Sequence, residues 1–125
     1  MRKSWNHSDI ITQYKSSCDI MYRATLDGDY KANNKEGKKL IDVFKFLEKN
    51  RELAVETLSL LLGDENVVTR TKAAAHCLAL KINTSEAEKI LKVESEKKEN
   101  GIFGFNAEMT LKVWKETGCL KVYQK

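Results

Sequence analysis

The sequence predicts an all-α fold, about six antiparallel helices with no convincing strand, and three observations carry that prediction. The 125 residues contain no proline, where average usage would supply roughly six, and Ala, Leu, Glu and Lys are abundant. Apolar residues recur at intervals of three and four along most of the chain, the spacing that lines one side of a helix. No long low-complexity or linker segment interrupts them, and short connections place successive helices antiparallel and adjacent. Residues 1–125 read as a single helical domain with tails at 1–7 and 119–125. A chain of this length buries about two thirds of the surface that its unfolded form exposes.

Ile10, Ile11, Tyr14, Cys18, Met21 and Tyr22 mark a first helix from about Ser8 to Leu26, stopped by LDGD at 26–29. Leu40, Ile41, Phe44 and Leu47 mark a second, which runs to about Lys49 from a start between Asn33 and Lys38. In ELAVETLSLLLGD, Ala54, Leu58, Leu61 and Leu62 form the stripe of a third helix that Gly63 ends, and Asp64 opens the fourth. Ser85 and Glu88 have capping-box spacing, with Asn83 and Thr84 as alternative caps, ahead of the stripe Ala87, Ile90 and Leu91. This fifth helix reaches about Lys97. GIFGF, with its two glycines, reads as a loop, and Ala107, Leu111 and Trp114 carry the sixth helix to Gly118.

The fourth helix, built on TRTKAAAHCLAL at 69–80, is apolar around most of its circumference. At about 100° per residue, Val67, Thr71, Ala74, Ala75 and Leu78 share one face, and Ala73, Cys77 and Leu80 form a second stripe. Only Thr69, Lys72 and His76 make a narrow polar strip. Such a helix is sandwiched between neighbours, and its alanines let the helix axes come close.

LLGDENVVTRTKAAAHCLAL resembles the core of a HEAT-like repeat: an apolar helix end, Asp64 at the turn, Arg70 six positions later, then paired alanines and a leucine. Together with ATLDGDYKANNK, NTSEAEKIL and FNAEMTLKVWKETG it resembles, over nearly the whole chain, a small bacterial family of alpha-alpha superhelices of unknown function. The resemblance implies a HEAT-like alpha-alpha superhelix in which Asp64 and Arg70 are structural and tie the turn to the helix. Thr69 stands where HEAT sequences usually carry Val.

Reactive chemistry is poorly served by this sequence. His76 and Cys77 are neighbours, so on a helix their side chains diverge by about 100° and cannot form the hydrogen-bonded pair that activates a thiolate. They read as a packed small Cys and a partly exposed His. DGDYKANNKEGK places Asp27 and Asp29 at the first and third positions of a calcium loop. It then puts Lys31 at a ligand position, Ala32 where Gly is needed and Lys38 where a bidentate Glu belongs. GIFG lacks the Lys-Ser/Thr pair and the preceding strand of a phosphate-gripping loop. Glu86 with Glu88, and Glu94 with Glu96, point to different sides of a helix and read as solvated. Cys18, Cys77 and Cys119 are widely spaced without a CxxC, which indicates neither a disulfide framework nor a zinc site. The expectation is no enzyme, no metal and no cofactor. No apolar run approaches a membrane span or a signal-peptide core, so the expected setting is a reducing cytoplasm.

Charge is the informative feature. Residues 31–51 hold seven basic side chains against three acidic ones, an excess equal to the net charge of +4 on the whole chain. Lys38, Lys45 and Lys49 share the face of the second helix opposite Leu40, Phe44 and Leu47. Lys38, Lys45 and Lys49, with Lys72 and His76 from the polar strip of the fourth helix, are the candidate partner-binding residues. Trp114 reads as core, and Trp5 fits either core or tail.

The expected function is a non-catalytic helical-repeat module that binds another protein. By analogy with small bacterial superhelices, its specific form is an immunity protein that neutralises a cognate toxin. Because the chain is basic, such a partner would be gripped outside any phosphate-binding cleft, or would itself be acidic. The alternative is a HEAT-like nucleic-acid binder that uses the basic helix face on a phosphate backbone.

Overall fold

The computed structural model describes residues 5–123, which form six α-helices and one short 3-10 turn, with no strand among the described residues. The helices are α1 His7–Asp27, α2 Tyr30–Glu48, α3 Arg51–Leu61, α4 Val67–Leu80, α5 Thr84–Ser95 and α6 Ile102–Thr117, with the 3-10 turn at Lys98–Asn100 between the last two. No helix among the described residues is long and apolar enough to cross a membrane.

Local chemistry explains the boundaries. The Asp9 amide donates to Asn6 Oδ1 at 2.7 Å and the Asn6 amide donates back to Asp9 Oδ2 at 3.4 Å, a reciprocal cap that starts α1. LDGD does two jobs: Gly28 takes the left-handed conformation (φ 73°) that ends α1, and Asp29 caps α2 by accepting from the Ala32 amide at 3.1 Å. The second helix therefore begins at Tyr30, ahead of the expected Asn33–Lys38. Its first turns carry little apolar periodicity, and the cap supplies what the pattern lacks. Two long helices joined by two residues and packed along each other must run antiparallel, so α1 and α2 form a hairpin.

One other expected start moves, and at α5 the alternative cap Asn83 is the one used. The cap of α4 is Asn66, whose Oδ1 accepts from the Val68 amide at 2.7 Å, while Asp64 Oδ2 accepts from the Asn66 amide at 3.1 Å and shapes the approach. The Ser85–Glu88 box does not form. Asn83 caps α5 in a left-handed conformation, its side-chain Nδ2 donates to Ser59 Oγ at 2.8 Å, and Glu88 instead accepts from Trp114 Nε1 at 3.1 Å.

GIFGF is not a loop: α6 starts at Ile102 and runs through it. Gly104 is there for proximity. A Cβ at this position would lie 3.0 Å from the Glu94 carbonyl oxygen and 3.3 Å from Asn100 Cβ, and that carbonyl is pinned because Asn100 Nδ2 donates to it at 2.8 Å. Helix propensity alone favours Ala over Gly by about 1 kcal/mol. Gly104→Ala is nevertheless expected to lower the urea midpoint, because overpacking costs about 1–3 kcal/mol. Gly37→Ala on α2 meets nothing within 4 Å and should raise it. Equilibrium urea unfolding of both variants checks the contrast.

α4 lies at the centre. It packs against α1, α3, α5 and α6, and Ala73, Ala74, Cys77 and Leu78 are fully buried. The core continues through Ile10, Tyr14 and Cys18 of α1, Val43 and Leu47 of α2, Leu58 of α3 and Leu91 of α5. Removing a leucine side chain of this kind from water contributes ~1.5–3 kcal/mol. Among the described residues, Thr69 Oγ1 is the one buried side-chain polar atom without a nitrogen or oxygen partner; it faces the Cys18 thiol.

Candidate functional site

The polar strip of α4 turns inward, and this decides the fate of two candidates. His76 is 2% exposed, not partly exposed as expected, so it is withdrawn as a partner-binding residue. Its Nδ1 is hydrogen bonded to the Tyr14 hydroxyl of α1, and the Phe44 ring of α2 lies 4.9 Å away between centroids. Burial, with the Lys72 charge adding to it, pushes His76 down to about 3, and burial lifts Tyr14 well above its ordinary value. The imidazole is neutral structural material. Cys77, beside it, is pushed by burial up to about 12. Burial also raises Cys18 to about 11, against the opposing pull of Thr69 and Lys72. Burial therefore keeps both of these thiols in the protonated, weakly nucleophilic form near neutrality.

Lys72 takes the third place on that strip. It is half-buried between α1 and α6, beside a cavity of ≈ 260 Å³, and burial lowers its pKa. It makes no hydrogen bond or ion pair with a described residue.

Lys38 and Lys45 on α2 and Lys49 at its C-cap are exposed, and Lys31 and Lys35 extend the same row toward the start of the helix. Asp42 interrupts the row, and Lys39 is drawn aside to the buried Glu36 carboxylate at 3.1 Å. The C-terminal segment borders this face. Lys45 Nζ stands 4.8 Å from the centroid of the Tyr123 ring, and the Tyr123 hydroxyl donates to the Glu48 carboxylate. The basic residues that sequence reasoning grouped therefore lie in two places, an exposed row on α2 and the inward strip of α4.

Glu94, expected on a solvated face, is 4% exposed. Arg70 grips it through Nε at 3.2 Å and Nη2 at 2.9 Å, with Asn100 Nδ2 at 2.9 Å and Lys97 Nζ at 3.1 Å. Burial alone would raise its pKa. The hydrogen bonds from Arg70, Asn100 and Lys97 outweigh it and hold Glu94 at about 2. Arg70 Nη1 also donates to the carbonyls of Asp64 and Glu65 at 2.8 Å each, so one guanidinium joins the α3–α4 turn to α5.

Sequence reasoning missed the outer face of α6. Ile102, Phe105, Met109 and Val113 recur at intervals of three and four and are exposed by 53%, 58%, 40% and 43%. A groove bounded by Met109, Val113 and Leu120 continues the apolar row. The spacing was visible in the sequence, but the stripe of Ala107, Leu111 and Trp114 also lies on α6, and periodicity does not say which of two stripes faces the core. Trp114 itself is only partly buried against the core, as is Trp5. Among the described residues no three His, Cys, Asp or Glu side chains converge as metal ligands.

No protein-family model matches the chain, and neither does any curated protein or solved structure. The HEAT-like resemblance therefore rests on the sequence segments that carry it.

Proposed function

We propose that the protein is a non-catalytic helical interaction module, a short HEAT-like alpha-alpha superhelix, that binds another protein on the outer face of α6. The observation that carries the proposal is the exposed row Ile102, Phe105, Met109 and Val113. Exposed apolar side chains scattered singly are ordinary, whereas a row along one helix flanked by charge is what an interaction surface offers. Glu108, Lys112, Lys115 and Glu116 supply the flanking charges, the polar rim of such a surface. The complementary partner element is an amphipathic helix laid against the row and the adjoining groove. Neutralisation of a cognate bacterial toxin is the narrower form of this proposal.

The basic row on α2 favours a second reading, contact with a nucleic-acid backbone through Lys38, Lys45 and Lys49. One set of variants separates the two. Phe105→Glu with Val113→Glu is expected to abolish capture of a protein partner while Lys38→Glu, Lys45→Glu and Lys49→Glu together leave it intact. Fluorescence anisotropy with labelled duplex DNA at low salt is expected to show no lysine-dependent binding. Capture that survives the α6 changes but is lost with the lysines would transfer the function to α2.

A further inference from the structure

Four helices contribute walls to the cavity of ≈ 260 Å³ beside Lys72: α1 through Met21 and Thr25, α2 through Asn33, α4 through Lys72, and α6 through Phe103 and Asn106. No Asp or Glu lines it. The Lys72 ammonium has no anion or acceptor among the described residues, and Cys18 and His76, the titratable groups whose charge it would feel or affect, are both kept neutral by burial. A half-buried cation without a counter-charge is a costly arrangement that a bound anion relieves.

The Thr71 and Thr110 hydroxyls on the lining donate to the Val67 and Asn106 carbonyls, but two other polar side chains keep a donor for the cavity. The Thr25 hydroxyl accepts from Asn33 Nδ2 at 3.0 Å, which leaves its own proton to donate, and Asn106 adds an amide at the rim. Met21 and Phe103 supply apolar lining. Lys72 also borders a smaller adjoining cavity of ≈ 200 Å³ that carries Lys121 and again no carboxylate. The volume lies just under the ~300 Å³ at which small-molecule sites usually begin, which sets the ligand at the size of benzoate or hexanoate.

We propose that this cavity is a binding site for a small organic carboxylate with a compact apolar body, its carboxylate on the Lys72 ammonium and the Thr25 hydroxyl and its body against Met21 and Phe103. The site is separate from the outer face of α6 and does not depend on a protein partner there. One ammonium and few further donors suit a monoanion; a phosphate dianion would be left largely unsatisfied. Burial lowers the Lys72 pKa, and a carboxylate in contact would restore it.

The test is a ¹⁵N NMR titration of the full chain with sodium benzoate, and with benzamide as its uncharged isostere. Benzoate is expected to shift the amides of residues 71–75 and 103–107 saturably, and benzamide to need about tenfold more for the same response. Lys72→Met should abolish that preference and Lys72→Arg should retain it, each with an otherwise unchanged spectrum. Equal response to benzoate and benzamide in the unmodified chain, no saturable shift at these amides, or a preference that persists in Lys72→Met would overturn the proposal. The comparison of the two probes on the unmodified chain stands whether or not a variant folds.

Discussion

Glu94→Ala is expected to lower the free energy of unfolding by about 3–5 kcal/mol, the cost of breaking a buried, hydrogen-bonded ion pair. The loss is not that of one ion pair. Without the carboxylate, the Arg70 guanidinium, half-buried against α5, keeps only the Asp64 and Glu65 carbonyls, and Asn100 and Lys97 lose a shared acceptor. The turn that brings Gly104 against the Glu94 carbonyl is held by the same Asn100, so the docking of α6 on α5 weakens too. Glu96→Ala is the control two residues on. Its bridge to Lys92, 3.6 Å long and about two-thirds exposed on both sides, should contribute no more than ~0.5 kcal/mol. Urea unfolding of both variants reads the difference directly, and comparable losses would show that the Arg70 cluster does not hold α5 in place.

Acid is expected to destabilise the fold well before its carboxylates titrate. His76 is held at about 3 in the folded chain against an ordinary value of 6.5, so between those limits the unfolded chain binds a proton that the folded chain refuses. Stability is full above about 6.5 and is lost as the pH falls toward 3, at up to about 1.4 kcal/mol per pH unit. Glu94, held at about 2 against 4.5, adds a second loss of the same sign, confined to the range below 4.5. The two contributions separate in the window between about 6.5 and 4.5, where the His76 loss is under way and the Glu94 loss has not begun. His76→Gln removes the titrating group and retains a polar atom for Tyr14. Unfolding free energies measured across that window should then become flat in the variant while they slope in the parent chain.

Much of the architecture was legible because it is written locally. The stop at LDGD, the end of α3 near Gly63 and the all-round apolarity of α4 each depend on residues within a turn or two of one another. What escaped depends on distance. His76 reads as part of a polar strip until Tyr14, 62 positions earlier, is seen to meet it inside the core. Glu94 reads as a solvated carboxylate until Arg70, 24 positions earlier, is seen to reach it. Gly104 illustrates a third kind of miss. Its flexibility suggests a loop, but its missing Cβ is used for the contact with Glu94. The cavity at Lys72 was not legible at all, since its walls come from four helices that share no motif.

The central position of α4 has a bearing on how the chain acquires its shape during synthesis. The α1–α2 hairpin is complete within the first 48 residues, yet its inner seam is closed by α3 and α4, which end at Leu80. On the ribosome, Tyr14, Ile10 and Cys18 must therefore wait, uncovered, while the next stretch is polymerised. This interval, when a nascent hairpin shows its greasy side to solvent or to a chaperone, is set by the connectivity of the helices and not by their individual strengths.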